Sequence, residues 1–129
     1  MSSTSPLLRV RSVEAVERPF RLRMPFRFGL YTLTQASQAL VRVTIELDGG
    51  AVATGHAAEV LLPKWFDKRP ELSPADNEDQ LRHSLRQAAG AYRAAGAPLT
   101  AFALFANHYA ALQQAAGADM ARAHRVVGP

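Results

Sequence analysis

Cysteine is absent from these 129 residues. Neither a disulfide framework nor a Cys-based zinc site can therefore support the fold. That composition suits a reducing cytoplasm, which is the expected location. Lysine is scarce as well, occurring only as Lys64 and Lys68. Residues 1–12 hold no apolar stretch of signal-peptide type, and no G-x-S-x-G frame or Gly-rich phosphate loop occurs. Long hydrophobic runs are also missing. Residues 99–118 carry no charge, but Thr100, Asn107, His108, Gln113, Gln114 and Gly117 interrupt them. A spanning helix needs about 20 mostly apolar residues, so no membrane association is expected.

A chain of this length fits one domain with a single core. Its 15 Lys and Arg against 11 Asp and Glu give a net charge of +4. The excess sits at the start, where Arg9, Arg11, Arg18, Arg21, Arg23 and Arg27 meet only Glu14 and Glu17. With Phe20, Phe26 and Phe28 between them, these arginines could form a nucleic-acid surface. No RNA- or DNA-binding motif accompanies them, so the solvent face of a strand is the preferred reading and nucleic acid is not an expected partner.

Periodicity supplies the elements. Residues 1–7 are expected to be disordered. Leu8 and Val10 alternate with Arg9 and Arg11, and the apolar parity then slips to Val13 and Ala15, as either a β-bulge near Ser12 or two shorter strands would cause. Residues 19–37, with Pro19, Pro25 and Gly29, read as a long ordered loop. Ala39, Val41, Val43, Ile45 and Leu47 share one face of a strand, and Asp48-Gly49-Gly50 turns it into an antiparallel return over residues 51–59. Gly55 within that return suggests a bulge or a close backbone approach. Residues 61–72 form a second irregular segment.

Ser73, Pro74 and Asp76 then open a helix with the stripe Leu81, Leu85, Ala88, Tyr92 and Ala95, ended by Gly96 and Pro98. Thr100 caps a second helix, expected to stop at Gly117, with Phe102, Phe105, Tyr109 and Leu112 as its main stripe. That helix is apolar nearly all round, which normally means burial on more than one side. A third short helix is expected over residues 119–124. The sum is an α+β domain, a three-stranded antiparallel meander followed by a helical hairpin.

Chemistry is harder to place. His56 and Glu59 are three apart on a strand, so they point to opposite faces and cannot chelate together. His83 and His108 fall on different helices, and His124 lies near the end. No metal site and no nucleophile emerges from this inventory.

An ordered set of pieces nevertheless has a family look. R-V-R-S-V-E-A opens it, followed by M-P-F-R-F-G, T-L-T-Q-A, L-V-R-V, a Gly-rich turn, A-T-G-H-A-A-E and P-K-W-F-D-K. This arrangement resembles the N-terminal capping domain of the enolase superfamily, in its mandelate racemase and muconate-lactonizing branch. The likeness spans residues 8–117, with residues 118–129 starting a linker or short helix towards a barrel.

The resemblance implies that the cap carries no catalytic residue and no cofactor of its own. Magnesium and the acid/base groups would belong to a (β/α)8 barrel, present in cis or in trans. K-W-F-D-K is not the family's barrel base, and its three acidic magnesium ligands have no counterpart here. Two loops, residues 24–35 and 56–70, would close over the barrel mouth. They would face substrate with Phe26, Phe28, Tyr31 and Trp65 as apolar walls, and with Arg27, His56 and Lys64 towards a polar or anionic group. Self-association is the other expected use of the apolar second helix. The alternative reading is a stand-alone interaction module that binds nucleic acid through its arginines. On the cap reading, calorimetric titration of the purified chain with Mg²⁺ is expected to show no stoichiometric micromolar site, and such a site would overturn it.

Overall fold

A computed structural model describes the backbone of residues 4–126 and the side chains of residues 4–118. Three antiparallel strands, β1 (Leu8–Phe28), β2 (Tyr31–Leu47) and β3 (Val52–Leu61), form one sheet in sequential order. Two helices follow, α1 (Pro74–Ala94) and α2 (Ala101–Val126). This is the α+β meander-and-helices arrangement that periodicity predicts.

The first correction concerns residues 19–37. They are not a loop, because β1 and β2 pair from Leu8↔Leu47 through to Phe28↔Tyr31. Gly29 has φ +56 and Leu30 does not share a positive φ, the pattern of a two-residue type II′ hairpin turn. Pro19 and Pro25 are tolerated because β1 is an edge strand, which leaves one side of its backbone without a ladder. Register slips twice along β1, between Val10 and Ser12 and between Arg21 and Phe26. The first slip selects the bulge over two shorter strands as the reason for the parity change.

Strand pairing sorts the sheet into two faces. Val13, Ala15 and Glu17 align with Val43, Val41 and Ala39, then with Gly55, Ala57 and Glu59. The helices lie on this face, and Arg82 of α1 meets Glu17 through its guanidinium, with Nη2 to Oε2 at 3.0 Å. Glu14, Val16 and Arg18 point the other way, alongside Arg42, Leu40 and Gln38.

Ser73 and Asp76 form a reciprocal capping box at the start of α1, and the accepted hydrogen bonds hold the Asp76 carboxylate below its usual pKa. Leu99 exchanges backbone hydrogen bonds with Leu8 at 2.8 and 3.1 Å, which ties the turn between the helices to the far end of the sheet. Thr100 Oγ1 accepts from Ala103 N–H at 3.1 Å and caps α2.

Helix α2 departs from expectation in two respects. It runs through Gly117 to Val126, absorbing the expected third helix. One interior glycine costs only about 1 kcal/mol relative to alanine, too little to break a helix that continues well on either side. Its aromatic stripe also faces outward. Phe102, Phe105 and Tyr109 stack in sequence at 6.4 and 5.4 Å, yet Phe102 is 77% exposed. The half-buried positions are instead Ala103, Leu104, His108, Leu112, Ala115 and Ala116 among the described residues. No helix among the described residues is long and apolar enough to cross a membrane.

The tightly packed core is small and off-centre. Leu33, Ala36, Ala39, Leu61, Pro63 and Leu72 are its buried apolar residues among those described. They gather where the β1–β2 hairpin, the end of β3 and residues 62–73 meet. Leu33→Ala is expected to destabilise the chain by about 3 kcal/mol through lost burial and a cavity. Phe102→Ala should change stability by less than about 0.5 kcal/mol in the isolated chain. Thermal or urea unfolding of both variants checks the contrast.

Candidate functional site

The hairpin tip and the segment after β3 leave the sheet at the same end and converge. Phe26 pairs with Leu33 and Phe28 with Tyr31, which puts all four side chains on one face. Phe28 is the hub. Its ring centroid lies 5.6 Å from Phe26, 5.4 Å from Tyr31 and 5.5 Å from Trp65, the last two edge to face. Phe28 and Tyr31 are half-buried, while Phe26 and Trp65 are open, the indole being 62% exposed. Burial, helped by the Glu78 carboxylate, raises the Tyr31 phenol above its ordinary pKa, so it stays a neutral hydrogen-bond donor.

Beneath the indole, residues 62–73 are held by buried polar contacts. Lys64 adopts φ +61, a left-handed conformation that a side-chain-bearing residue rarely takes. Its N–H donates to Asn77 Oδ1 at 3.0 Å, and its Nζ donates to the carbonyls of Arg69, at 2.7 Å, and Leu72. Asn77 has no exposure, and its Nδ2 donates to Gln80 Oε1 at 3.1 Å.

Asp67 is also buried. It accepts from Arg69 in a fork, Nη2 to Oδ2 at 2.6 Å and Nε to Oδ1 at 3.0 Å, and from the Arg69 backbone at 3.1 Å. These hydrogen bonds from Arg69 outweigh the desolvation and hold Asp67 below the usual carboxylate range. Gln80 Nε2 is buried outside hydrogen-bond geometry with any partner, but the side chain lies near enough to Asp67 to assist.

This arrangement sorts the residues singled out from sequence. Phe26, Phe28, Tyr31 and Trp65 come together. Arg27 pairs with Thr32 at a position alternating with the two phenylalanines, so it leaves the opposite face, where its Nε reaches Gly29 O at 3.5 Å. Lys64 spends its ammonium on loop carbonyls, because its positive φ turns the chain back over the side chain. His56 is elsewhere. It sits mid-way along β3, in register with Arg42 on the outer face, beside a shallow groove lined by Val16, Leu40 and Ala58.

Sequence reasoning passed over Leu30, which is 99% exposed at the turn, and Phe66 and Met24, both exposed. Phe66 was signalled by its place beside Trp65, and Leu30 by the Gly-X pattern of a type II′ turn. Among the described residues, no three His, Asp or Glu side chains converge as a metal site would require. The arginines of β1 are spread along an edge strand, and Arg11 is ion-paired with Glu46. Comparison with known protein families, with curated proteins and with solved structures returns no match to this chain.

A group whose folded pKa is depressed stabilises the fold above its unfolded pKa and loses that contribution as pH falls through the folded value. For Asp67 the loss is expected to begin near the ordinary carboxylate value of about 4 and to grow below it. Asp67→Asn should cost about 1–3 kcal/mol at neutral pH and flatten the acid limb of a melting-temperature profile between about pH 2 and 5. An unchanged acid limb would show that titration of Asp67 does not contribute to it.

Proposed function

We propose that this chain is a substrate-specificity cap without catalytic residues, of the kind that enolase-superfamily enzymes place over the mouth of their (β/α)8 barrel. The parent reaction would be magnesium-dependent removal of a proton α to a carboxylate, in the cytoplasm, with the barrel supplied in cis or in trans. One observation carries this reading. An aromatic patch, exposed at its top and rigid at its base, is built jointly by the β1–β2 hairpin tip and residues 62–73 at a single end of the sheet. Such a patch has little to offer the domain's own stability, but it makes a good wall for the apolar part of a substrate.

The substrate-facing set is accordingly Phe26, Phe28, Tyr31 and Trp65. Lys64 holds the loop in shape. Arg27 lies on the hairpin's other side, and His56 plays no part at the tip. The aromatic ladder of α2, exposed from Phe102 to Tyr109, is the surface best suited to docking against the barrel. Closing the tip over the barrel would exclude water from the reacting carboxylate, while the proton transfers stay with barrel groups.

The test uses the enzyme that carries this cap with its barrel. Trp65→Ala and Phe28→Ala are expected to change the ratio of kcat/KM between substrates differing by one apolar group by about 10–200-fold, the worth of a lost apolar pocket contact. The melting temperature should barely move for Trp65→Ala. If no barrel associates with the chain or accompanies it in the coding sequence, the reading fails. It also fails if both variants lower stability and leave the substrate ratio unchanged.

A further inference from the structure

The two edges of the sheet are guarded very differently. The β1 edge carries Arg9, Arg11, Arg18, Arg21 and Arg23, two prolines and two register shifts, and its start is closed by the bridge to Leu99. Charge, proline and bulges are the standard ways to stop an edge strand from pairing. The β3 edge has no proline, no bulge and one charged residue, Glu59 near its end. Residues 52–59 are exposed throughout, pair with β2 without a register shift, and carry no Lys, Arg or Pro.

The hydrogen-bond phase of this strand can be read from its turn. Leu47 N–H donates to Ala51 O at 2.7 Å, making that a bonded pair. In an antiparallel ladder bonded pairs alternate, so Ala53, Gly55, Ala57 and Glu59 bond to β2. Val52, Thr54, His56 and Ala58 point their N–H and C=O groups at the open edge. Val60 N–H also leaves the ladder and is capped at 3.0 Å by the Glu59 carboxylate, which closes that end of the edge. The four outward groups are therefore symmetric about Gly55.

We propose that β3 is a dimerisation edge, on which a second copy of this chain pairs antiparallel about a two-fold axis through Gly55 to give a continuous six-stranded sheet. In this register Thr54 of one copy exchanges hydrogen bonds with His56 of the other, and Val52 does so with Ala58. Every outward N–H on the open edge is used. Glu59 falls opposite Ala51, so no charge meets a like charge. The row Val16, Leu40, Ala58 on the outer face, groove-forming in one copy, continues into Val52 of the next.

Gly55 gains a reason as well. A Cβ placed there would meet nothing within 4 Å in its own chain, so the monomer has no steric need for a glycine inside a strand. On the axis the two Gly55 residues form a non-bonded pair, where Cα atoms approach to about 4.5 Å. The proposal stands apart from the cap reading, since β3 and the aromatic tip share no residue.

The absence of cysteine makes the register directly testable. Gly55→Cys places two thiols within disulfide reach across the axis, whereas Ala57→Cys leaves them about 13 Å apart along the strand. Under mild oxidation Gly55→Cys is expected to form a covalent dimer at least ~10-fold faster than Ala57→Cys. Thr54→Pro removes only an outward N–H, and sedimentation should show it monomeric with an unchanged far-UV spectrum. A wild-type monomer at several hundred micromolar, equal cross-linking of the two cysteine variants, or a dimer that survives Thr54→Pro and is lost in Phe102→Ser would each overturn the proposal.

Discussion

The Asn77 carboxamide accepts from Lys64 N–H at 3.0 Å and donates to Gln80 at 3.1 Å while having no solvent exposure. It sits in the first turn of α1 but fixes a residue thirteen positions earlier, in the segment that leaves β3. A carboxamide can be buried only if its donors and acceptors are matched. The match here requires the left-handed turn at Lys64, and that turn aims the lysine ammonium at the Arg69 and Leu72 carbonyls. Asp67 and Arg69 then close the segment from its other side. The geometry of the indole of Trp65, and through it Phe28 and the hairpin tip, follows from this chain of dependencies. An apolar residue at position 77 would satisfy burial yet leave the Lys64 N–H with no partner.

The accessible surface of 9,195 Å² is large for a chain of 14.0 kDa. A compact monomer of that mass exposes about 6,700 Å², so the excess of about 2,500 Å² is roughly three times what one partner buries at a standard interface. Uncovered features among the described residues include the outer face of the sheet, the open β3 edge, the aromatic tip and the outward ladder on α2. Their apolar content is high, with Phe102, Phe105 and Tyr109 on one helix and Val16 and Val52 on the sheet. The small buried core and the large uncovered surface among the described residues are the common ground of the cap and dimer proposals.

How far the sequence revealed this depends on the element. The strand from Ala39 to Leu47 and its glycine turn were legible because a half-buried strand leaves a period-two record. The capping box at Ser73 and the cap at Thr100 were legible because few residue types can do that work. The hairpin tip was not. Its strand holds Pro19 and Pro25 and slips three residues between Arg21 and Phe26, so the alternation is lost where it is needed. The edge position that makes those prolines harmless is a property of topology, invisible until the strand order is known. The aromatic grouping was visible as composition, but Lys64 was misread, since nothing in P-K-W-F-D-K signals a positive φ. The α2 stripe was legible as apolar, but its direction was not, because periodicity finds a face and not what covers it.

Lys64 shows why the base of the tip and its exposed surface can vary separately in this fold. A strained φ costs of order 1–3 kcal/mol, and it persists here because three hydrogen bonds are made by the residue that bears it. Those bonds lie beneath the tip, among buried groups, whereas Trp65 and Leu30 above them are largely free of the core. Substitutions in the upper layer alter the shape and polarity of the patch while the supporting hydrogen bonds stay intact. Substitutions in the lower layer move every aromatic ring at once. The exposed residues can therefore vary one at a time while the hydrogen bonds beneath them stay in place.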